Sequence, residues 1–372
     1  MTIKSLILGA SAALVAGSGA YAADAIVAAE PEPLEYVRIC DAYGTGYFYI
    51  PGTETCLKVG GKVRTEGEWY DAYNPDSHIG TMWHERMELN IDTASDTEYG
   101  PLKTNTILRW EWNDGGETAS KLLFANISLG GLTVGKLDSQ YNLYVGYAGN
   151  VANDDVIYDG PYELNQLTYV YDPGNGNGFS AMISLEDSNS GSDGSYFGDA
   201  DPAATHDWVT SKADHYAPDV VAGLGYTTGV WGLKVVGGYD SIVEEGAIKA
   251  RFDLNIGGVK AFLMGGWNTD GDKLNKYAGT NFNSNGAACP VDRADCGWGD
   301  WALWTGFTAP INDKLSLNAQ FAYTDTKIFA GTANLQWYPV KSFLIQPEVS
   351  YTNWDKADAD QWAGILRFER NF

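Results

Sequence analysis

The side chains that could perform catalysis or bind a metal are few in this chain. Of its four histidines, His206 and His215 lie in one polar stretch, each beside an aspartate. Two histidines at that separation make a weak metal motif, because a zinc site needs three or four ligands at matched spacing. We therefore predict no metal site and no bound cofactor.

Catalysis by a nucleophile would require a serine or cysteine beside a base. His84 and Glu88 fall on one face of a strand-like segment, but no serine accompanies them. The stretch at 191–194 contains a serine, yet it lacks the strand-to-helix turn on which hydrolases place their nucleophile. The chain is thus predicted not to be an enzyme.

Charged side chains at every second position form the pattern that does recur. In residues 57–70, apolar Val59 and Val63 alternate with Lys62 and Arg64, and a period of two places each set on one face of a β-strand. The basic residues on such polar faces are Lys62, Arg64, Arg86 and Arg109, with Glu66, Glu88 and Glu111 nearby. We predict that these cations face water, either as a ladder that selects ions or in ion pairs with the nearby acids.

About sixteen such segments follow one another from Leu57 to Phe372, an even number within the range of bacterial outer-membrane barrels. Tight connections occur at 129–132, 227–230, 256–259 and 310–313, and long polar stretches at 187–216 and 269–297. Short turns at one end and long loops at the other are typical of a transmembrane barrel, whereas a soluble sandwich gives no reason for the alternation. The predicted fold class is all-β, a transmembrane antiparallel β-barrel.

The last segment, residues 361–372, is predicted to close this barrel. Trp362 and Phe368 share one face, and Arg367 and Glu369 share the other. In a membrane barrel the apolar face meets lipid and the polar face meets water inside. Closure is required because an open strand edge in lipid would leave backbone groups unpaired.

The first residues have the features of a cleaved signal peptide. Lys4 precedes an apolar stretch at 6–15, and Ala20-Tyr21-Ala22 supplies the cleavage pattern. That stretch is shorter than the roughly 20 residues of a transmembrane helix. We predict a signal peptide at 1–22, an N-terminal lead-in at 23–56 and the barrel at 57–372, with export to the outer membrane of a Gram-negative cell.

Composition narrows the possible functions further. The formal net charge of −24 excludes nucleic-acid binding on electrostatic grounds. The 44 glycines, 23 tyrosines and 13 tryptophans suit strands that are apolar only on alternate residues. Four cysteines fit an oxidising compartment and permit three pairings. The short intervening segments favour a bond between Cys40 and Cys56, which would tie the lead-in to the first strand, and one between Cys289 and Cys296.

The segment at 36–64, YVRICDAYGTGYFYIPGTETCLKVGGKVR, closely resembles the start of the mature general porins of the alphaproteobacterial outer membrane, those of Brucella and of rhizobia. The lead-in ADAIVAAEPEP and the final GILRFERNF resemble the same family, while the long central loops do not. The resemblance implies a sixteen-stranded barrel that forms a homotrimer among outer-membrane lipid and lipopolysaccharide. It also implies passive diffusion of ions and small hydrophilic solutes.

In porins of this architecture the third outer loop folds inward and narrows the pore. The segment that matches by order is 139–162, so the resemblance implies that Asp154, Asp155 and Asp159 lie at the constriction. The wall opposite would supply the basic residues named above, and the transverse field would order polar solutes. A solvated acidic loop is the simpler alternative for the three aspartates.

Two further functions stay open from the sequence. Tyr141, Tyr144 and Tyr147 in the same segment could form an aromatic track for a sugar, which would make the protein a substrate-specific channel. The long polar stretches at 187–216 and 269–297 could instead bind a surface, which would make it an adhesin barrel. Saturable block of conductance by a solute would favour the first, and loss of binding on loop deletion the second.

Overall fold

The computed structural model describes residues 38–71, 80–113, 116–153, 157–173, 177–187, 217–241, 244–271, 275–278 and 298–372. The predicted signal peptide lies outside these ranges, as do Asp154, Asp155, Cys289 and Cys296. None of the helices in the described ranges has the length and apolar character needed to cross a membrane.

Strands make up most of the described chain. They are β1 (Phe48–Tyr49), β2 (Cys56–Tyr70), β3 (Gly80–Ser95), β4 (Leu102–Asn113), β5 (Gly116–Leu129), β6 (Leu132–Leu137), β7 (Leu164–Tyr171), β8 (Gly178–Glu186), β9 (Asp219–Thr227), β10 (Trp231–Asp240), β11 (Glu245–Ile256), β12 (Val259–Asn268), β13 (Trp301–Asn312), β14 (Leu315–Thr324), β15 (Ile328–Val340), β16 (Phe343–Trp354) and β17 (Ala359–Asn371). The helical elements are a short α-helix, α1 (Gln140–Leu143), and the 3-10 helices Asp41–Tyr43, Lys276–Ala278 and Asp355–Ala357.

The strands β2 to β17 form a closed antiparallel ring. Each pairs with the next along the chain, and β17 returns to pair with β2, with Ala363 opposite Tyr70. These sixteen barrel strands confirm the predicted fold class and the closing role of the last segment. Closure gives every barrel strand two partners, which is what a spanning structure needs where no water can satisfy the backbone.

The alternation that predicted the strands is visible in β9. Val220, Leu224 and Tyr226 are exposed on the outer surface, whereas Val221 and Gly223 are buried inside. Branched and aromatic side chains of this kind fit the pleated surface of a strand. The result is an outer surface that presents apolar side chains, as a lipid environment requires.

The connections differ in length between the two ends of the barrel. Turns at 130–131, 257–258 and 341–342 lie at one end, and connections at 138–163, 187–218 and 269–300 at the other. One predicted turn is wrong, because β13 runs to Asn312 and the chain reverses at 313–314. Pro310 is accepted within the strand because the pairing with β14 shifts register between Pro310 and Asn312, and at a bulge the missing proline N–H costs little.

A disulfide ties the segment before the barrel to the first barrel strand. Cys40 and Cys56 are bonded and both are buried, which confirms the first predicted pair. Phe48 lies opposite Leu57 in the pairing of β1 with β2, so the intervening chain folds back along the barrel wall. The second predicted pair falls outside the described residues.

Replacing Cys40 and Cys56 together by serine is expected to lower the free energy of unfolding by about 3 kcal/mol. The bond spans a sequence separation of 16 residues, and the chain entropy regained on opening a loop of that size is about 3 kcal/mol. Urea unfolding of the folded protein in detergent, with the reduced wild type as a second comparison, measures the change. Equal midpoints for variant and oxidised wild type would contradict it.

Candidate functional site

Four neighbouring strands, β17, β2, β3 and β4, carry a lattice of acids and bases on the inner surface of the barrel, here called the charged wall. Its basic members are Lys62, Arg64, Arg86, Arg109 and Arg367, and its acidic members are Glu66, Glu68, Glu88, Glu111 and Glu369. The two sets are equal in number, so the wall is close to neutral before His84 is counted.

Strand register decides which charges meet on this wall. One row across the four strands holds Glu369, Arg64, Arg86 and Glu111. Its two arginines lie opposite one another, but each turns to an acid on the far side. Arg64 Nη2 is 2.7 Å from Glu369 Oε2, and Arg86 Nε is 2.5 Å from Glu111 Oε1. The like charges are therefore compensated pairwise.

The next row places two cations on one acid. Lys62 and Arg109 lie opposite Glu88 from either side. Lys62 Nζ is 3.1 Å from Glu88 Oε2, and Arg109 Nη2 is 2.7 Å from Glu88 Oε1. Glu88 is buried beneath them, so both oxygens of this carboxylate are neutralised.

All four basic residues named from the sequence thus lie on one inner wall, and each is ion-paired. Arg367 and Glu369 were not named as wall residues, although alternation in the last segment had placed both on its polar face. Arg367 pairs with Glu66 and Glu369 with Arg64. These contacts join the last barrel strand to the first, so only the closure of the ring brings them together.

The connection between β6 and β7 is here called the inner loop, and its described parts, 138–153 and 157–163, lie inside the barrel. It contacts side chains across the inner faces of the strands from β8 to β16, including Ser180, Lys234, Arg251, Thr308, Asn334 and Glu348. These side chains alternate with the exposed apolar ones. The inner loop therefore follows the wall on the side away from lipid.

Two lysines of the barrel wall hold the inner loop. Lys249 Nζ donates to Asn142 Oδ1 at 2.6 Å and also to the carbonyl oxygen of Asp159. Lys234 Nζ donates to the carbonyl oxygen of Tyr144 at 2.8 Å. Lys249 is fully buried, and a buried ammonium needs such acceptors to offset its lost hydration. Both strands β10 and β11 are in this way joined to the loop backbone.

Two tryptophans hold the second half. Trp298 Nε1 donates to the carbonyl oxygen of Tyr158 at 2.6 Å, and Trp304 Nε1 donates to that of Ile157 at 3.1 Å. Trp298 packs so close to the wall that a Cβ atom at Gly266 would lie 2.3 Å from its ring. A glycine is needed there because any side chain would displace the indole.

The far end of the inner loop is held by one carboxylate. Glu348 Oε2 accepts from the backbone N–H of Ala152 at 2.6 Å, and Glu348 Oε1 accepts from that of Asn153 at 2.7 Å. Asn334 Nδ2 donates to Glu348 Oε2 at 2.8 Å and to the carbonyl oxygen of Asn150 at 2.9 Å. Glu348 on β16 is thus the anchor at which the loop meets the strands that lead to the charged wall.

The three tyrosines of the inner loop do not form one exposed surface. Tyr141 is 0% exposed and Tyr144 is 6% exposed, whereas Tyr147 is 36% exposed. Tyr144 packs on Gly223 and its hydroxyl lies 2.8 Å from Ser180 Oγ. A sugar track built from all three rings is therefore not available, because two of the rings pack against the barrel wall.

Asp159 lies in the inner loop, but its carboxylate faces the loop itself. The residue is 4% exposed. Its Oδ2 accepts from the backbone N–H of Ala148 at 3.0 Å, and its Oδ1 accepts from Tyr162 Oη at 2.9 Å. The bond to Ala148 cross-links the two halves of the loop, and the bond to Tyr162 lies within the second half.

The base of the inner loop is stabilised by Asp138. Its carboxylate accepts from Tyr147 Oη at 2.5 Å and from the backbone N–H of Glu163 at 3.0 Å. Burial raises the pKa of Asp138. Burial and the charge of Asp138 also raise the pKa of Tyr147. The tyrosine therefore stays protonated at neutral pH and keeps donating this hydrogen bond.

A family model and the sequences of known proteins indicate the same family for this chain. A family model described as "Porin subfamily" matches residues 24–368. Porin Omp2b of Brucella suis biovar 1 is 42% identical over 390 residues, which cover 100% of both chains. Porin Omp2b of Brucella abortus (strain 2308) has the same identity and coverage.

Solved structures share the fold at low sequence identity. A mutant of Rhodopseudomonas blastica porin superimposes with a TM-score of 0.55 at 11% identity, over 85% of this chain and 100% of that one. A triple mutant of the same porin gives a TM-score of 0.55 at 10% identity with the same coverage. At this identity the likeness concerns the barrel fold alone.

Proposed function

Because the chain belongs to the porin subfamily, we propose that it forms a water-filled channel through which ions and small hydrophilic solutes diffuse without energy input. The observation that carries the proposal is the division of the barrel interior. The inner loop packs against β8 to β16, and the charged wall lies on the remaining side, on β17 and β2 to β4. Such a lumen has one polar, charged side and one side narrowed by folded chain.

The narrowest part of the channel, in this proposal, lies between the inner loop and the charged wall. Asp154 and Asp155 belong to the loop by sequence and would supply its negative charge. The bonds of Asp159 support a different role for that residue, which is to hold the two halves of the loop together. The wall contributes closely paired charges. The pairs Arg64–Glu369 and Arg86–Glu111 point in opposite directions across the strands, so the field of the wall is short-ranged.

The same proposal includes the cellular setting. The signal peptide at 1–22 would be removed, the lead-in at 23–56 would precede the barrel, and the barrel at 57–372 would lie in the outer membrane. The exposed apolar side chains of the outer surface support contact with lipid. Assembly as a homotrimer, and contact with lipopolysaccharide, follow from the family resemblance and belong to the proposal.

Planar-bilayer recording of the purified, folded protein tests the function. We expect stable open channels whose current grows linearly with solute concentration, in steps of three if the trimer inserts as a unit. Absence of conductance from folded protein would overturn the proposal. Conductance that one solute blocks saturably would replace it with a substrate-specific channel.

Removing bases from the charged wall and removing acids from it are expected to shift ion selectivity in opposite directions. The variant R64Q/R86Q removes the closest cations of Glu369 and Glu111, and the matched variant E369Q/E111Q removes the acids paired with the two arginines. One unpaired charge a few ångströms from a passing ion changes its energy by about 1 kcal/mol in water, which is about fivefold in relative permeability. Reversal potentials measured in a low-salt gradient should show greater cation selectivity for the first variant and greater anion selectivity for the second. A shift in the same direction for both would contradict the role of the wall.

A further inference from the structure

Two carboxylate oxygens and an imidazole nitrogen converge within the charged wall. Glu66 and His84 lie directly opposite one another on β2 and β3, and Glu68 follows two positions along β2. His84 Nδ1 is 3.2 Å from Glu66 Oε2 and 3.7 Å from Glu68 Oε1. The three atoms lie within 4.8 Å of one another. The separations of 3.2 and 3.7 Å suit ligands of one ion, each of which would lie about 2.0–2.2 Å from its centre.

The other polar atoms of these three side chains are held by neighbours. The neighbours are Arg367, which donates to Glu66 Oε1, Tyr70, which donates to Glu68 Oε2 at 2.9 Å, and Glu111, whose Oε1 lies 3.8 Å from His84 Nε2. Metal ligands are typically oriented in this way, with a carboxylate on the far nitrogen of the histidine and donors on the far oxygens of the acids. The cluster therefore points one atom of each side chain toward a common centre.

The centre is reachable from the lumen but largely shielded. The side chain of His84 is 14% exposed, that of Glu68 10% and that of Glu66 4%. On the other side of His84, the register places Asn113 of β4 directly opposite. Asn113 Oδ1 is buried and has no hydrogen-bond partner within the described chain. This part of the wall thus contains one buried polar atom whose bonding capacity the described residues do not fill.

We propose that His84 Nδ1, Glu66 Oε2 and Glu68 Oε1 bind a divalent transition-metal ion from the lumen. One imidazole and two carboxylates are the ligand types that zinc accepts, and three protein ligands leave a position for water. Calcium and magnesium prefer six or more oxygen ligands, which the cluster does not offer. The two carboxylates balance the charge of the ion, while Arg367 stays on the far oxygen of Glu66. A bound ion would add positive charge to the wall of the channel.

Zinc is the probe for the test, applied to the purified, folded protein after removal of metal by a chelator. Isothermal titration at pH 7.4 should give one site per chain, and cobalt in place of zinc should give the visible absorption of a low-coordinate ion. The variant H84Q should lower the apparent affinity about 100-fold and abolish the cobalt band. The variant E111Q removes the carboxylate charge beside Nε2, and with it the ion-pair partner of Arg86, and should lower the affinity about tenfold.

The matched control is the variant H78Q/H206Q/H215Q, which keeps His84 and removes the other three histidines of the chain. It should bind zinc as the wild type does, and magnesium in place of zinc should not bind to either. Zinc binding to H84Q with the affinity of the wild type, or loss of binding in the triple variant, would overturn the proposal. Because binding is measured directly, a protein that conducts no ions would still test the metal site, so the two proposals can fail separately.

Discussion

Replacing Glu348 by alanine is expected to free the far end of the inner loop and to raise the single-channel conductance. The variant removes the acceptors of two backbone N–H groups, those of Ala152 and Asn153. Leaving two half-buried N–H groups without acceptors costs about 1–3 kcal/mol in total, at the lower end of the range for buried groups. A free-energy loss of that size increases the fraction of molecules in which the far end of the loop has left its position on the wall.

The control for this variant is E369A, which removes one carboxylate from the lumen without touching the inner loop. Both variants change the charge of the lumen by the same amount, so a shift in selectivity alone does not distinguish them. We expect larger and noisier current only in E348A, together with faster cleavage of the inner loop by a protease added to the folded protein. Equal conductance and noise in the two variants would show that Glu348 does not hold the loop.

Replacing Lys276 by methionine is expected to lower the free energy of unfolding by about 3–5 kcal/mol. Lys276 Nζ lies 2.6 Å from Asp219 Oδ2, and both side chains are at most 1% exposed. Burial lowers the pKa of Lys276, but the carboxylates of Asp219 and Asp240 outweigh it and leave the pKa raised. The lysine is therefore charged in the folded protein, and its removal leaves a buried carboxylate without its partner.

The double variant K276M/D219N provides the decisive comparison. Asparagine keeps an oxygen for Ser241, whose backbone N–H and hydroxyl both donate to Asp219 at 2.8 Å. With both charges removed, most of the lost stability should return. Urea unfolding in detergent gives all values. If K276M is as stable as the wild type, or if the double variant is no more stable than K276M, the pair does not stabilise the fold in the way described.

The burial of Lys276 was not predicted from the sequence. Lysine is rarely fully buried, and residues 269–297 have the polar composition of a solvated loop. In the structure, the 3-10 helix Lys276–Ala278 packs into the barrel, where Tyr277 Oη donates to Glu186 Oε2 at 2.9 Å. A long loop that folds inward keeps a surface-like composition while its side chains become part of the interior.

The sequence alone determined the strands, their order and the face of each side chain. A period of two is a local property, because successive side chains of any extended segment point to opposite sides. It therefore placed Lys62, Arg64, Arg86 and Arg109 on the inner surface without knowledge of any partner. The spacing of the same segments predicted short turns at one end and long loops at the other, and this alternation predicted the barrel. Of the four tight turns named from the sequence, the one at 310–313 was displaced, since a bulge is not visible in the alternation.

Only the tertiary structure decided which of these side chains meet. The pairing of Arg64 with Glu369, and of Arg367 with Glu66, depends on the register at which the last strand closes on the first. The convergence of Glu66 and His84 depends on register in the same way. The direction of Asp159 into its own loop depends on contacts of a segment with no repeating pattern. Register and loop packing arise from non-local contacts, and no local period of the sequence encodes them.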